Sequence, residues 1–354
     1  VDSPTLAKLS AFGLGLAGTM AVVNVLMEVA RKKAVFAVEL IATGFWCHIF
    51  DTLLFVAAWA YYRSRGFGLY VRGGGDFFGI AGLHLSPLSV FILYEVIDFL
   101  LHGVATWMFF KALQAAAMSM AVPFLAFSTI LIVPAGYFFL GELPGPVQLL
   151  GVILTTLGSV MMHWRRFAVS WVEPFRAIYA NKGCRYMIYA SAIFAVLSPL
   201  DKKLSLMADP YTHCVIFGFG MCLFFFVFAW ARRERFLPAI RRNFGWIAVA
   251  GLLDAATILL QFQSYQYIDA AVVISIKRSG IVLSVVFGWL FFGEKNIRDR
   301  LIASSLMFVG VLLLCLPFTF LQAGGIAALS LGLMVLYLLF SPAQPLASLA
   351  EEAT

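Results

Sequence analysis

Apolar residues along the 354-residue chain fall into long blocks separated by short polar joins. Blocks of bilayer length run about 9–30, 39–62, 87–110, 118–140 and 147–164. After a polar segment from Arg165 to Arg185, five more run about 186–206, 211–231, 244–266, 270–292 and 300–320. A helix rises about 1.5 Å per residue, so roughly 20 apolar residues cross a hydrocarbon core of about 30 Å. Each block therefore predicts a transmembrane span, five before the polar break and five after it. A further apolar run, Gly325 to Phe340, has 16 residues. That is short for a span and would also suit an interfacial helix; it is read here as an eleventh span. Pro123 and Pro134 in the fourth block and Pro199 in the sixth remove backbone hydrogen bonds, so those helices should kink.

The two halves repeat. Tyr137-Phe138-Phe139-Leu140-Gly141-Glu142 closes the fourth span, and Trp289-Leu290-Phe291-Phe292-Gly293-Glu294 closes the ninth, at an offset of 152 residues. Leu113-Gln114-Ala115 then falls opposite Tyr265-Gln266-Tyr267. The first span ends in Arg31-Lys32-Lys33 and the sixth in Asp201-Lys202-Lys203, an offset near 170. An odd number of spans per half gives the copies opposite topology, the inverted-repeat plan of secondary transporters. The predicted organisation is a five-helix repeat over 9–164, a linker over 165–185, a second five-helix repeat over 186–320, and a C-terminal extension over 321–354. The fold class is all-α integral membrane protein.

Composition agrees, with 62% apolar and only 12% charged residues. Little chain is left for a soluble catalytic or nucleic-acid-binding domain. The net charge of +7 is read as loops biased to one membrane face, with contact to anionic lipid. Joins after the odd-numbered spans hold 17 Lys and Arg and the other face holds six. The positive-inside rule then puts the N-terminus outside and the 165–185 and 232–242 loops in the cytoplasm. The first thirty residues lack a charged leader and cleavage site and are read as a retained span. The absence of an initiator Met is read as a trace of processing. Five scattered cysteines indicate neither zinc nor a disulfide framework.

Two five-span halves, an apolar run into Gly-Glu at the ends of the fourth and ninth spans, and Lys at the ends of the first and sixth resemble the drug/metabolite transporter superfamily, EamA type. Ser275-Ile276-Lys277-Arg278 through Gly293-Glu294-Lys295 is the most similar stretch, and the resemblance covers about residues 9–320. It implies ten helices around a central cavity, carrier or exporter activity without a nucleotide-hydrolysing domain, and both termini in the cytoplasm. The last point disagrees with the charge count. A Gly-rich 63–86 loop and the C-terminal segment depart from the family pattern.

Ionisable groups deep in a bilayer are costly unless paired or facing water, so each is a functional candidate. Glu95, Asp98 and His102 share one face of the third span, spaced for hydrogen bonding between helices or for proton relay. Asp254, Thr257 and Gln261 form a similar stripe in the eighth, and the repeat offset sets His102 opposite Asp254. Lys277 and Arg278 lie about eight residues into the ninth span, too deep to snorkel easily. They suit either binding of a carboxylate or phosphate or a structural ion pair with Asp254, Asp98 or Glu95. Adjacent helical residues point about 100° apart, so at most one should face the cavity centre. Glu28, Glu39, His48 and Asp51 rank lower, as structural groups. Glu142 and Glu294, beside capping glycines, should fix architecture by accepting hydrogen bonds from a following helix or loop.

The Gly-rich loop lacks the Gly-Lys-Ser/Thr ending of a P-loop and reads as an interfacial flap. No triad or His-Glu-x-x-His motif is present, so no enzyme activity, cofactor or metal is expected. The leading expectation is a secondary-active transporter or exporter of a small metabolite, drug or lipid-linked anionic solute, working by alternating access in the bacterial inner (plasma) membrane. Its partners would be a small-molecule substrate and membrane lipids, with no nucleic acid; the chain is compatible with a homodimer or larger complex. The alternative is a non-transporting accessory or scaffold subunit of a larger membrane complex. The two separate on Lys277 and Arg278, which would be neutralised in a closed core in a scaffold and would line a wet cavity in a carrier.

Overall fold

The computed structural model of the protein describes residues 3–35, 39–66, 71, 75–76, 84–143, 145–161, 179–294, 297–316 and 318–340. Most of the 165–185 linker and of the Gly-rich loop, Lys295, and the C-terminal residues 341–354 lie outside them.

Among the described residues the chain is all-helical apart from a two-residue antiparallel bridge, Gly75–Asp76 on His84–Leu85. The helices are α1 (Ser3–Ala34), α2 (Leu40–Ser64), α3 (Pro87–Ala115), α4 (Met118–Ala121), α5 (Phe127–Leu140), α6 (Pro146–Met161) and α7 (Lys182–Met207). They continue with α8 (Pro210–Ala231), α9 (Phe236–Ser264), α10 (Ala270–Ser279), α11 (Ile281–Phe292), α12 (Ile297–Cys315) and α13 (Phe320–Phe340). Eight stretches of described helix are long and apolar enough to cross a membrane, α10 and α11 counting as one; α5, α6 and α12 supply shorter apolar segments.

The expected blocks are recovered with shifted ends. The C-terminal helix begins at Phe320 rather than Gly325, and 21 residues make it long enough to span. The segment expected as a basic loop over 232–242 is helical from Phe236, bent where Asn243 leaves helical geometry (φ −142°, ψ 30°). Asn243 Nδ2 donates instead to the carbonyls of Lys33 and Ala34 at 2.9 and 3.1 Å. The fourth span is interrupted by a 3₁₀ stretch, Val122–Ala126, with Pro123 in its first turn, while Pro134 stays inside α5. The ninth span is interrupted at Gly280, 152 residues beyond Ser128 at the start of α5, so equivalent positions in the two halves are broken.

Packing crosses between halves. α1 packs on α9 and α3 on α7, while α2 meets α8 and α6 meets α12. The last crossing is close because it is built on glycine. A Cβ at Gly310 would fall 2.4 Å from Thr155 Oγ1 and 2.6 Å from the Gly151 carbonyl. Gly310→Ala is therefore expected to push the helices apart and cost about 1–3 kcal/mol. Gly324→Ala, which meets nothing within 4 Å, should leave the detergent melting temperature unchanged. Equal melting of the two variants would refute the tight crossing.

The polarity of the bundle is inverted relative to a water-soluble protein. Large apolar side chains such as Leu53, Ile92, Phe219, Leu223 and Leu329 are more than half exposed on its outside. Glu28, Arg31, His48, Asp51, Glu95, Asp98, Asp201, His213 and Asp254 are buried. A bilayer rewards that arrangement and water does not. The chain is a multi-span helical membrane protein.

Candidate solute cavity

A cavity of about 80 Å³ lies at the centre, walled by α1, α2, α3, α7, α8, α9 and α10. That is room for a handful of waters.

Five residues singled out by sequence line the cavity: His102, Asp254, Gln261, Lys277 and Arg278. Glu95 and Asp98 do not; they are buried behind His102. Glu28, Arg31, His48 and Asp201 also border it. Glu28 and His48 had been ranked as structural groups, and Arg31 and Asp201 had been noticed only as members of repeated span-end clusters. The signal for that last pair was present, since an ionisable group repeated in both halves at a span end points inward when the helix runs on past it.

The polar contacts sort these groups. Arg31 Nη2 donates to Asp254 Oδ2 at 2.5 Å, and its guanidinium lies 5.2 Å from the centre of the Phe110 ring. Asp254 is thus matched from α1, which corrects the expectation that Lys277 or Arg278 pairs with it, or with Asp98 or Glu95. Among the described residues neither Lys277 nor Arg278 has a carboxylate oxygen within 4.0 Å. Lys277 Nζ donates to Gln261 Oε1 at 2.8 Å, and Gln261 Nε2 donates to the Tyr265 hydroxyl at 2.9 Å. Arg278 Nε donates to Ser128 Oγ at 3.2 Å, tying the two helix breaks together. Both side chains border the cavity, against the expectation that only one would, because the long arginine stem reaches round to α5.

Glu28 accepts from Asn24 Nδ2 and Ser284 Oγ, each at 2.8 Å. Of the cavity's acids, then, Asp254 is spoken for by Arg31, Glu28 by neutral donors, and Asp201 faces His102 and His213 at 3.9 Å each. Among the described residues the hydrogen-bond partner of Lys277 is an amide, with no carboxylate oxygen within 4.0 Å.

Two related clamps lie outside this centre. Lys32 Nζ donates to Glu294 Oε1 at 3.1 Å and to the Ala116 carbonyl at 3.4 Å, and the Met118 N–H donates to the same carboxylate at 2.7 Å. Lys202 Nζ donates to Glu142 Oε1 at 2.5 Å and to the Ile268 carbonyl at 3.1 Å, and the Ala270 N–H donates to Glu142 Oε2 at 3.4 Å. Every carboxylate, carbonyl and N–H in the second set is 152 residues from its counterpart in the first. Gly141 (φ 69°) and Gly293 (φ 63°) take the left-handed conformation that ends each helix, where a Cβ would be strained. The two glutamates do contact the opposite half, and Glu294 also faces Arg300 of the helix that follows, at 3.8 Å.

The clamps sit at opposite ends of the bundle. Lys32 meets Ala116 at the C-terminal end of α3, whereas Lys203, next to Lys202, reaches the Tyr94 hydroxyl near the start of α3 at 3.3 Å. Twenty-two helical residues between them span roughly 33 Å, a bilayer's apolar thickness.

Comparison with known proteins finds a family likeness over part of the chain. Residues 181–316 match the EamA-like transporter family, so the resemblance read from the sequence holds over the second half of the chain. No curated protein matches significantly. A solved structure described only as "Crystal structure of protein" is similar at a TM-score of 0.59 and 14% identity, over 92% of this chain and 99% of that one. At that identity the likeness concerns the fold alone.

Proposed function

We propose that the protein is a secondary-active transporter for a small metabolite bearing a carboxylate or phosphate, working by alternating access between two inverted five-helix repeats, residues 9–164 and 186–320. The observation that carries this reading is Lys277, a cation at the centre of a polar cavity with no carboxylate oxygen within 4.0 Å among the described residues, inside the segment that matches a transporter family. A buried, unpaired ammonium is costly, and an anionic solute relieves that cost. The scaffold alternative required Lys277 and Arg278 to be neutralised in a closed core, and Asp254 is engaged elsewhere.

In this reading Lys277 and Arg278 bind the anionic group, Gln261 orients Lys277, and Asp254 holds Arg31. His102 and the buried Glu95 and Asp98 serve coupling rather than solute contact. The exchange of packing partners between halves, the breaks at equivalent positions in spans four and nine, and the paired clamps support the two-repeat plan. The chain is not read as an enzyme.

The test is thermal stabilisation of the detergent-purified protein by carboxylates, sugar phosphates, nucleotides, amino acids and organic cations. A ligand at 100 times its Kd should add about 2.7 kcal/mol. Stabilisation by anions and not by cations is expected; stabilisation by organic cations alone would refute the assignment.

The clamps make a separate prediction. Glu294→Gln weakens the bond to Lys32 at one end and Glu142→Gln the bond to Lys202 at the other, each by about 1 kcal/mol, or fivefold in the balance of states. Maleimide labelling of cysteines placed beside each clamp should rise only at the end whose clamp was cut. A rise at both ends in either variant would show that the clamps do not gate separately.

A further inference from the structure

Behind the cavity, α3, α7 and α8 bring together Glu95, Asp98, His102, Asp201 and His213. All but His102 are at most 2% exposed. Three carboxylates share this space, and among the described residues no lysine or arginine nitrogen lies within 4.0 Å of any of them. Asp98 Oδ1 and Oδ2, Asp201 Oδ1 and His213 Nε2 find no hydrogen-bond partner in the protein. One such orphan is costly, and four on three neighbouring side chains call for a ligand.

We propose that Asp98, Asp201 and His213 form a binding site for a divalent transition-metal cation. One ligand atom from each lies within 4.8 Å of the others, and His213 Nε2 is 3.9 Å from Asp201 Oδ1. Two atoms each about 2.1 Å from a common metal are at most about 4.2 Å apart, so sub-ångström closure completes the set. The imidazole is already oriented for it. His213 Nδ1 is 2.8 Å from Glu95 Oε1; with Glu95 ionised the oxygen accepts, which places the proton on Nδ1 and leaves Nε2, 3.9 Å from Asp201 Oδ1, free to bind a cation. A carboxylate behind a histidine is the usual support of a metal-bound imidazole. Phe262 stacks on the ring at 4.4 Å and holds its plane.

The repeat gives an independent reason. Counted by the two offsets, Arg31 corresponds to Asp201 and Asp254 to His102. In one half-to-half contact the acid is met by a guanidinium; in the other, the position of that guanidinium is itself an acid. The cation missing from the second contact is what a metal ion supplies. Mixed carboxylate and imidazole donors suit Zn²⁺ or Mn²⁺ rather than Mg²⁺ or Ca²⁺. His102, 3.3 Å from Asp98 Oδ1 and bordering the cavity, marks the route of entry.

The experiment is titration of ZnCl₂ and MnCl₂ into the EDTA-stripped full chain in detergent, read by calorimetry, bound metal per chain and melting temperature. One bound metal per chain that raises the melting temperature is expected. Asp98→Asn, which keeps the shape and removes a charge, should fold and lose that binding. Glu95→Gln keeps all three ligands and should weaken it 10- to 100-fold. Absence of stoichiometric metal, binding unchanged in both folded variants, or stabilisation by acid alone with no metal bound would each overturn the site, the last by assigning protons to these carboxylates. Metal content does not depend on the transported solute, so this outcome and the anion panel can fail separately.

Discussion

Arg31→Met should destabilise the protein by about 3–5 kcal/mol, the cost of leaving one member of a buried ion pair without its partner. The Asp254 side chain is 6% exposed and the Arg31 side chain 8%, so only the few waters that fit the central cavity can stand in for the lost guanidinium. Arg31→Lys should recover only part of the loss, because a point charge lacks the planar face that lies over Phe109 and Phe110. The decisive variant is the double one. Arg31→Met with Asp254→Leu removes both charges and their desolvation together, and should melt well above the Arg31→Met single variant. If single and double variants melt alike, the pair does not account for the position of α1 on α9, and packing at this crossing carries the stability instead.

That pair also shows how far the sequence could be read. Block lengths located the helices, with ends that moved by up to eight residues at α9, because hydrocarbon thickness sets one length scale for every spanning helix. The Gly-Glu repeat and the Lys ending each half's first span were legible as motifs. Their partners were not, because an offset of 152 relates a residue to its copy and says nothing about which copy it touches. Glu142 and Glu294 reach across to Lys202 and Lys32 of the opposite half, a choice made by helix crossing in three dimensions. Lys277 and Arg278 stood out because charge inside a long apolar block is rare. Arg31 and Asp201 stood out only as members of repeated span-end clusters, with no sign of what they face. Arg31 lies just past its apolar block, but α1 runs on to Ala34, and Asp201 lies inside α7, which runs to Met207. His213 drew no attention, lying next to the polar start of its block, and only the fold sets it against Glu95.

Lys277→Met is the variant on which the transport reading stands. With the ammonium gone, an anionic solute loses a charge-assisted contact of about 1.5–3 kcal/mol, or roughly 10- to 100-fold in affinity. Ligand stabilisation should fall accordingly, and counterflow in proteoliposomes should fall with it at subsaturating solute. The ligand-free variant has a different expectation. Lys277 meets no carboxylate and only Gln261 loses a partner, so removing it leaves no buried charge unpaired. Its melting temperature without ligand should equal or exceed that of the parent, opposite in sign to Arg31→Met. Gln261→Leu is the comparison: it frees the ammonium without removing it, and should lower stability while weakening anion binding less than Lys277→Met does. Should Lys277→Met melt several degrees lower and bind the anion unchanged, Lys277 is a structural cation and the solute site lies elsewhere in the bundle. Should it keep its fold and lose the anion, the solute's charge is met at the break in the ninth span, where Arg278 from α10 and Ser128 from α5 already join the two halves.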